Sequence, residues 1–177
     1  ELNGNYILEI DSKPKTVYSS IQKTRSFYPN TNNEVFLLSQ FSKNIENACT
    51  KARLYRLAPR KISIFLKTKD FKFSYFSIKL NNPTNTPESI MSIVNTNFKY
   101  IYKKNILYRT TGIIFEDMIG IEAIQGDLFG DNFRINKFET IHKQIDLLDK
   151  KFGKHIVHLA SSHNAFKQKE KGTSSDD

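Results

Sequence analysis

Apolar residues recur every three or four positions in three segments of the chain, which is the spacing of amphipathic helices. The first segment spans residues 34–56. The second starts at Thr86-Pro87-Glu88, where threonine suits the cap and proline the first helical position, and its apolar stripe spans residues 90–101. The third spans residues 135–152 and is followed by Gly153, which suits a helix C-cap. The pattern therefore predicts three helices.

Alternating apolar and polar residues predict four strands around the first two helices. These strands span residues 19–27, 61–68, 71–80 and 108–119. The resulting order, β-α-β-β-α-β, is that of a split βαβ sandwich. We therefore expect an α+β domain in which two helices cover one face of a four-stranded sheet and the other face stays open. A small helical appendage follows, and residues 155–160 favour one further short strand.

Glycines, prolines and polar runs divide the chain into five parts. We expect a linker at 1–15, a basic domain at 16–119, a connector at 120–134, a C-terminal extension at 135–162 and a disordered tail at 163–177. The chain starts with glutamate rather than methionine, and its first ten residues resemble the interior of a longer sequence. We therefore interpret it as a C-terminal fragment.

The positive charge of the chain is concentrated in its first domain. The net charge is +9, and residues 14–119 hold 17 basic and 6 acidic residues, whereas the rest of the chain holds 10 basic and 12 acidic ones. Such an excess indicates a phosphate backbone as the partner, although a merely solvated basic surface is the alternative. We expect Lys23, Arg25, Lys67 and Arg109 to lie on the open face of the sheet and to form a cradle for nucleic acid.

Several classes of site are excluded or disfavoured by composition. The single cysteine, Cys49, excludes an intramolecular disulfide and a cysteine-rich zinc site, and it fits a reducing, cytosolic setting as a small core residue. No apolar run approaches the roughly 18–20 residues of a membrane span, so we expect a soluble protein. His155 and His158 would face opposite sides of a strand, and no carboxylate cluster suits metal-dependent nucleotidyl transfer. We therefore predict no catalytic residue and no metal ligand in this chain.

The connector contains Gln125-Gly126-Asp127-Leu128-Phe129, a segment with two large apolar side chains. The neighbouring glycines, Gly120 and Gly130, disfavour a regular helix or strand here. Leu128 and Phe129 are therefore either anchors for the pocket of a partner or a turn that packs back on its own domain.

Several segments resemble parts of one polymerase family. Residues 20–27, 61–80 and 108–115, together with the two intervening helices, resemble the little-finger domain of Y-family translesion DNA polymerases. Three further segments resemble the UmuC branch, the catalytic subunit of bacterial polymerase V; they are Glu1-Leu2-Asn3-Gly4 ahead of the domain, the clamp-binding segment 125–132, and residues 145–161. The resemblance covers nearly the whole chain, and it rests on the order and spacing of individually weak motifs.

The resemblance implies a domain that grips primer-template DNA without sequence specificity, next to an error-prone active site used in the SOS response. Lysines and arginines would neutralise phosphates, and the hydroxyls of Ser20, Thr24, Thr110 and Thr111 would hydrogen-bond them. Gln125, Leu128 and Phe129 would dock on the bacterial sliding clamp, although Gly126 replaces a usually larger residue. Ile114 stands where some relatives carry a basic residue.

The resemblance also implies further partners and a cellular setting. They are a UmuD-like subunit, a recombinase filament and a cytoplasmic, nucleoid-associated location in a bacterium. The parent polymerase would use Mg²⁺, whereas this chain is expected to need no cofactor and to be inactive alone.

Two other functions are compatible with the same elements. An RNA-recognition module has the same β-α-β-β-α-β order, but Phe71-Lys72-Phe73-Ser74-Tyr75 lacks the glycine of its aromatic signature. A non-catalytic adaptor that binds the clamp and a second protein is the other alternative. An upstream coding sequence with or without catalytic carboxylates would separate the adaptor from the polymerase.

Overall fold

A computed structural model describes residues 18–124, 132–153 and 156–171. The helices and strands in these ranges are β1 (Ser20–Thr31), α1 (Glu34–Leu54), β2 (Leu57–Thr68), β3 (Phe73–Lys79), α2 (Pro87–Asn97), β4 (Tyr108–Gly120), α3 (Asn132–Phe152) and α4 (His163–Lys171). Short 3₁₀ helices lie at Phe98–Tyr100, Ile121–Ala123 and Ala160–Ser162.

The four strands form one antiparallel sheet in the order β1-β4-β2-β3. Both β1 and β2 are antiparallel to β4, which lies between them. The crossover through α1 therefore joins two parallel strands that are separated by a third, which is the split βαβ arrangement. The predicted α+β fold, with a four-stranded sheet and a helical appendage, is confirmed.

The hydrophobic core lies between α1, α2 and one face of the sheet. The apolar stripe of α1 is fully buried, and its side chains are Leu37, Phe41, Ile45, Ala48, Cys49 and Ala52. Cys49 is thus the core residue that the sequence predicts, and burial raises the pKa of its thiol far above the ordinary value. The helix begins where expected, because the backbone N–H of Phe36 donates to Asn33 Oδ1 at 2.9 Å.

The second strand begins earlier than the sequence predicts. Helix α1 ends at Leu54, and Arg56 adopts a left-handed φ of 54° that turns the chain directly into β2 at Leu57. Pro59 therefore lies inside β2 rather than in a loop after the helix. The strand accommodates this proline because β3 pairs only with residues 61–67, so Pro59 has a partner strand on one side only.

The C-terminal residues fold differently from the prediction. A strand was expected at 155–160, but the described residues of that range, 156–160, contain none. Disorder was expected from residue 163 onward, but residues His163–Lys171 form α4. Ala165 is buried, and Lys43 Nζ of α1 donates to its carbonyl oxygen at 3.3 Å. Packing against α1 thus orders a segment whose own sequence is mostly polar.

Charged groups join the C-terminal extension to the helices of the domain. Arg53 of α1 donates two hydrogen bonds of 2.7 Å to the carboxylate of Asp146 on α3. His142 Nε2 lies 2.9 Å from a carboxylate oxygen of Glu88 at the start of α2. These contacts cross between elements that are far apart in sequence, so they fix α3 against the domain.

The carboxylate of Glu46 holds the residues that precede α4. Glu46 Oε1 accepts the backbone N–H of Leu159 at 2.7 Å and the hydroxyl of Ser162 at 3.0 Å. Burial raises the pKa of the Glu46 carboxyl, although both hydrogen bonds oppose that rise. Partial burial acts in the same direction on Glu88. The hydrogen bonds from His142 and from the Glu88 backbone N–H, together with the charges of His142 and Arg53, outweigh it and hold the Glu88 pKa below its ordinary value.

Candidate nucleic-acid interface

The face of the sheet away from α1 and α2 is built from alternate residues of all four strands. Ile62, Ile64 and Leu66 of β2 are buried on the helix side, so their neighbours in β2 belong to the other face. Read from β1 through β4 and β2 to β3, the cross-strand rows of this face are Ser20, Glu116, Lys61 and Lys79; Gln22, Ile114, Ser63 and Ser77; Thr24, Gly112, Phe65 and Tyr75; and Ser26, Thr110, Lys67 and Phe73. We call these rows the open face.

A glycine in the central strand makes room for a large ring on the open face. A Cβ atom added to Gly112 would lie 2.1 Å from Cζ of Phe65, which is the residue opposite it on β2. Phe73 packs on the same ring, with centroids 5.6 Å apart. The far end of the Phe65 ring therefore occupies the space that a side chain at position 112 would fill, and the ring is only 7% exposed.

The acidic residue of these rows is already neutralised. Glu116 lies 2.9 Å from Lys61 Nζ and accepts a hydrogen bond of 2.9 Å from Ser63 Oγ. Partial burial would raise the pKa of the Glu116 carboxyl, but the hydrogen bonds from Lys61 and Ser63 hold it below the ordinary value. Of the three lysines in these rows, Lys61 is paired with Glu116, whereas Lys67 and Lys79 are not.

Aromatic and basic side chains gather at one end of the open face. Lys67 Nζ lies 4.7 Å from the ring centroid of Phe71 and 5.0 Å from that of Phe73, and Arg109 Cζ lies 4.4 Å from the Phe71 centroid. Phe71, Phe73 and Tyr75 are 60%, 61% and 52% exposed. We call Lys67, Phe71, Phe73, Tyr75 and Arg109 the aromatic-basic cluster.

The structure places four of the predicted DNA contacts on the open face and a fifth beside it. Ser20 and Thr24 are exposed there, Lys67 is half-buried, and Thr110 is nearly buried. The hydroxyls of Thr110 and Ser26 are 2.8 Å apart, so the exposed Ser26 is the accessible member of that pair. Arg109, a fifth predicted residue, lies beside the open face, where the register between β4 and β2 shifts.

The expectation that Lys23 and Arg25 lie on the open face is wrong. Both share the parity of Ile21, and they lie opposite Ile113 and Thr111, which are buried on the helix side. Because β1 is an edge strand, Lys23 is half-buried and Arg25 is exposed at the rim of that side. Their charges therefore belong to the edge of the domain and not to the cradle.

Thr111 is also on the helix side, so its expected place beside a phosphate is wrong. Its side chain is fully buried, and Nδ2 of Asn44 in α1 donates to both its hydroxyl and its carbonyl oxygen at 3.1 and 3.2 Å. Thr111 therefore holds α1 against β4.

Sequence reasoning missed part of the open face although a signal was present. Lys61, Lys79 and Ser77 alternate with buried or half-buried Ile62 and Ile78, so their parity alone assigns them to the face that also carries Lys67. Lys61 and Lys79 add cations to the row of Ser20, for which no cation was predicted, and Ser77 adds a hydroxyl to a row that held no predicted contact.

Other predicted features lie outside the interface or outside the described residues. Gln125, Leu128 and Phe129 of the predicted clamp-binding segment are not among the described residues, nor is His155. In the described ranges, no three His, Cys, Asp or Glu side chains are grouped to hold a metal ion. The helices in these ranges are also too short or too polar for any of them to cross a membrane.

One protein family and several solved structures match the chain. The impB/mucB/samB family C-terminal domain matches residues 18–128, which is more than half of the chain. No match was found among curated proteins.

The solved structures are similar to the chain at low sequence identity. The post-insertion binary complex of Dbh DNA polymerase is 16% identical over 57% of this chain and 29% of that one, with a TM-score of 0.46. A Dbh ternary complex is 13% identical over 58% of this chain and 30% of that one, with a TM-score of 0.45. The crystal structure of DinB from Sulfolobus solfataricus is 12% identical over 57% of this chain and 29% of that one, with a TM-score of 0.43. The chain thus spans less than a third of the length of each.

The family match and the sheet with its two covering helices define the class of the domain. It is a little-finger domain of the Y-family DNA polymerases, as the sequence resemblance implied. The chain belongs to the impB/mucB/samB family.

Proposed function

We propose that the open face binds primer-template DNA through its phosphates. The observation that carries this proposal is a sheet face that no helix among the described residues covers. Its acidic side chain in the cross-strand rows, Glu116, is paired, whereas Lys67 and Lys79 share the face with the exposed hydroxyls of β1. Cations and hydroxyls are the groups that contact phosphate oxygens, and such contacts position a duplex without reading its sequence. A polymerase that copies any template requires this kind of grip.

The proposal predicts a weaker and less salt-dependent complex when open-face lysines are removed. We expect Lys67→Gln/Lys79→Gln to lower affinity for duplex DNA and to reduce the log-log salt slope by about 0.9 for each phosphate that is no longer neutralised. Fluorescence anisotropy over a range of salt concentrations, with duplexes of unrelated sequence, measures both quantities.

Two control variants remove the same charge elsewhere. Lys150→Gln/Lys151→Gln changes exposed residues at the end of α3 and should leave the slope nearly unchanged. Lys23→Gln/Arg25→Gln tests the rim of the helix side, where we expect a smaller loss of affinity than on the open face. An equal loss in all three variants, or a clear preference for one sequence or for single-stranded RNA, would contradict the proposal.

We also propose that the chain is part of an error-prone translesion polymerase of the UmuC branch. The support is the sequence resemblance before and after the little-finger domain, together with the family match. Its setting would be the SOS response in the bacterial cytoplasm, with a UmuD-like subunit and a recombinase filament as regulatory partners. The described residues do not fit a catalytic Mg²⁺ site, so nucleotidyl transfer would be carried out by other parts of the protein.

Docking on the bacterial sliding clamp is a separate part of this proposal. Leu128 and Phe129 would fill an apolar pocket while the Gln125 amide is hydrogen-bonded at its rim. Phe129→Ala should weaken clamp binding by about 2 kcal/mol, roughly 30-fold, in surface plasmon resonance, because buried aromatic anchors dominate such interfaces. Phe152→Ala, an exposed phenylalanine at the end of α3, is the matched control. Equal affinity of the two variants would refute clamp docking through this segment.

A further inference from the structure

The aromatic-basic cluster differs chemically from the rest of the open face. Apart from Gly112 and Ile114, the remaining residues of the rows carry hydroxyls, the Gln22 amide, lysines and the paired Glu116, and their one phenylalanine, Phe65, is nearly buried. In the cluster, three aromatic rings are more than half exposed; two are on the edge strand β3, and the third, Phe71, is in the turn that precedes it. Phosphate contact alone gives no physical reason for exposed aromatic rings at this end.

The turn between β2 and β3 holds Phe71 in the cluster by an unusual backbone conformation. Phe71 has a φ of 66°, a left-handed value that bulky L-residues rarely adopt. The turn is closed by hydrogen bonds from Phe71 N to the Thr68 carbonyl oxygen at 3.1 Å and from Thr68 N to the Lys72 carbonyl oxygen at 2.8 Å. Glycine or asparagine is the common choice for this conformation, so a phenylalanine stands here where the backbone alone would favour a smaller residue.

The charges around the cluster favour an anionic partner. Lys67 and Arg109 lie over its rings, and the turn adds Lys69 and Lys72 against a single acid, Asp70. Exposed aromatic rings among cations are the combination that binds single-stranded nucleic acid, because a base stacks on a ring while the adjacent phosphates pair with the cations. A duplex offers its phosphates to such a surface but keeps its bases stacked inside.

We propose that the aromatic-basic cluster binds an unstacked base of single-stranded DNA next to the duplex held by the remaining open face. The inference rests on the proposed DNA-binding function and deepens it, because it assigns two kinds of DNA to two parts of one surface. Ring faces accept any base, so this contact adds affinity without adding sequence preference.

The test compares a blunt duplex with the same duplex carrying a single-stranded extension of thymidines. The full 177-residue chain should bind the extended DNA more tightly, by about fivefold to a hundredfold for each base that stacks. This advantage should persist as salt is raised, because stacking releases no counterions, whereas an advantage due to extra phosphates alone would shrink. The fluorescence of 2-aminopurine placed in the extension should be quenched on binding.

The variant Phe71→Gly/Phe73→Ala should remove the advantage and the quenching. Glycine suits the left-handed φ at position 71, so the turn is expected to form without the ring. Tyr100→Ala is the matched control, because Tyr100 is 61% exposed, has Lys99 Nζ 5.3 Å from its ring centroid, and stacks on Phe76 on the helix side. Its extension advantage should equal that of the unaltered chain.

Three outcomes would overturn the inference, and one of them also concerns the proposed function. Normal binding of the blunt duplex with no gain from the extension refutes the inference and leaves the duplex grip standing. A cluster variant that turns a dimer into a monomer without changing DNA binding identifies the cluster as a contact between copies of the chain. Failure of the unaltered chain to bind either DNA contradicts the proposed function itself.

Discussion

Replacing Gly112 by alanine is expected to destabilise the domain by about 3 kcal/mol, at the upper end of the usual cost of overpacking. The added Cβ would meet the Phe65 ring at 2.1 Å, and Phe73 packs on that ring as well. The ring must therefore leave its position or the two central strands must separate. Urea unfolding followed by circular dichroism measures the change in the free energy of unfolding.

A second glycine at the end of the same strand provides the control. A Cβ added to Gly120 meets only the carboxylate of Glu122, at 3.3 Å, and its φ of −64° is ordinary for alanine. Gly120→Ala should therefore be neutral or slightly stabilising. In a Phe65→Ala background, Gly112→Ala should lose most of its cost, since the clashing ring is absent. An unchanged cost in that background would contradict the proposed packing of Phe65 over Gly112.

Breaking the ion pair between Arg53 and Asp146 is expected to release the C-terminal extension from the domain. The Arg53 side chain is largely buried, and replacing it with methionine leaves the Asp146 carboxylate without its two hydrogen bonds. Removing one partner of a fully buried pair costs about 3–5 kcal/mol, and the partial exposure of Asp146 reduces this to about 2 kcal/mol. Urea unfolding gives the decrease in stability, and limited proteolysis should show faster cleavage between the domain and α3.

An exposed arginine in the same region is the matched control. Arg56 pairs with Glu122, and both side chains are mostly exposed to solvent. Arg56→Met should leave the rate of cleavage unchanged, because solvent and salt screen such a pair. If Arg53→Met and Arg56→Met behave alike, the extension is not held by the Asp146 contact.

The helices and the order of elements were predictable because their signals are local. The asparagine cap of α1 and the part of its apolar stripe from Phe41 to Ala52 appear in the structure as the spacing indicated, as does Gly153 with its φ of 103° after α3. In the first turns the spacing was wrong, because Val35 is exposed and Leu37 rather than Leu38 is fully buried. Helix α4 was not predictable, because the turn that precedes it is held on α1 by polar groups such as Glu46 and Ser162 that lie 116 residues apart. A pattern of hydrophobic residues carries no information on such contacts.

The composition of the candidate interface was predictable only in part. Ile21 and Phe27 are six residues apart, so a strict two-residue period assigns Lys23 and Arg25 to the same side as these apolar residues. Likewise, Thr110 and Thr111 are neighbours in a strand, and only one of them can face outward. The error came from assigning residues to the open face by charge and hydroxyl chemistry before fixing the parity of each strand.

The most direct test of DNA binding by the open face is the amide chemical shifts of the ¹⁵N-labelled chain during titration with a short duplex. The largest changes should fall on β1, β4 and β2 at open-face residues such as Thr24, Thr110 and Lys67, and the exposed surface of α1 around Val35 should not respond. Changes centred on α1 or on α3, with the open face unaffected, would contradict the account.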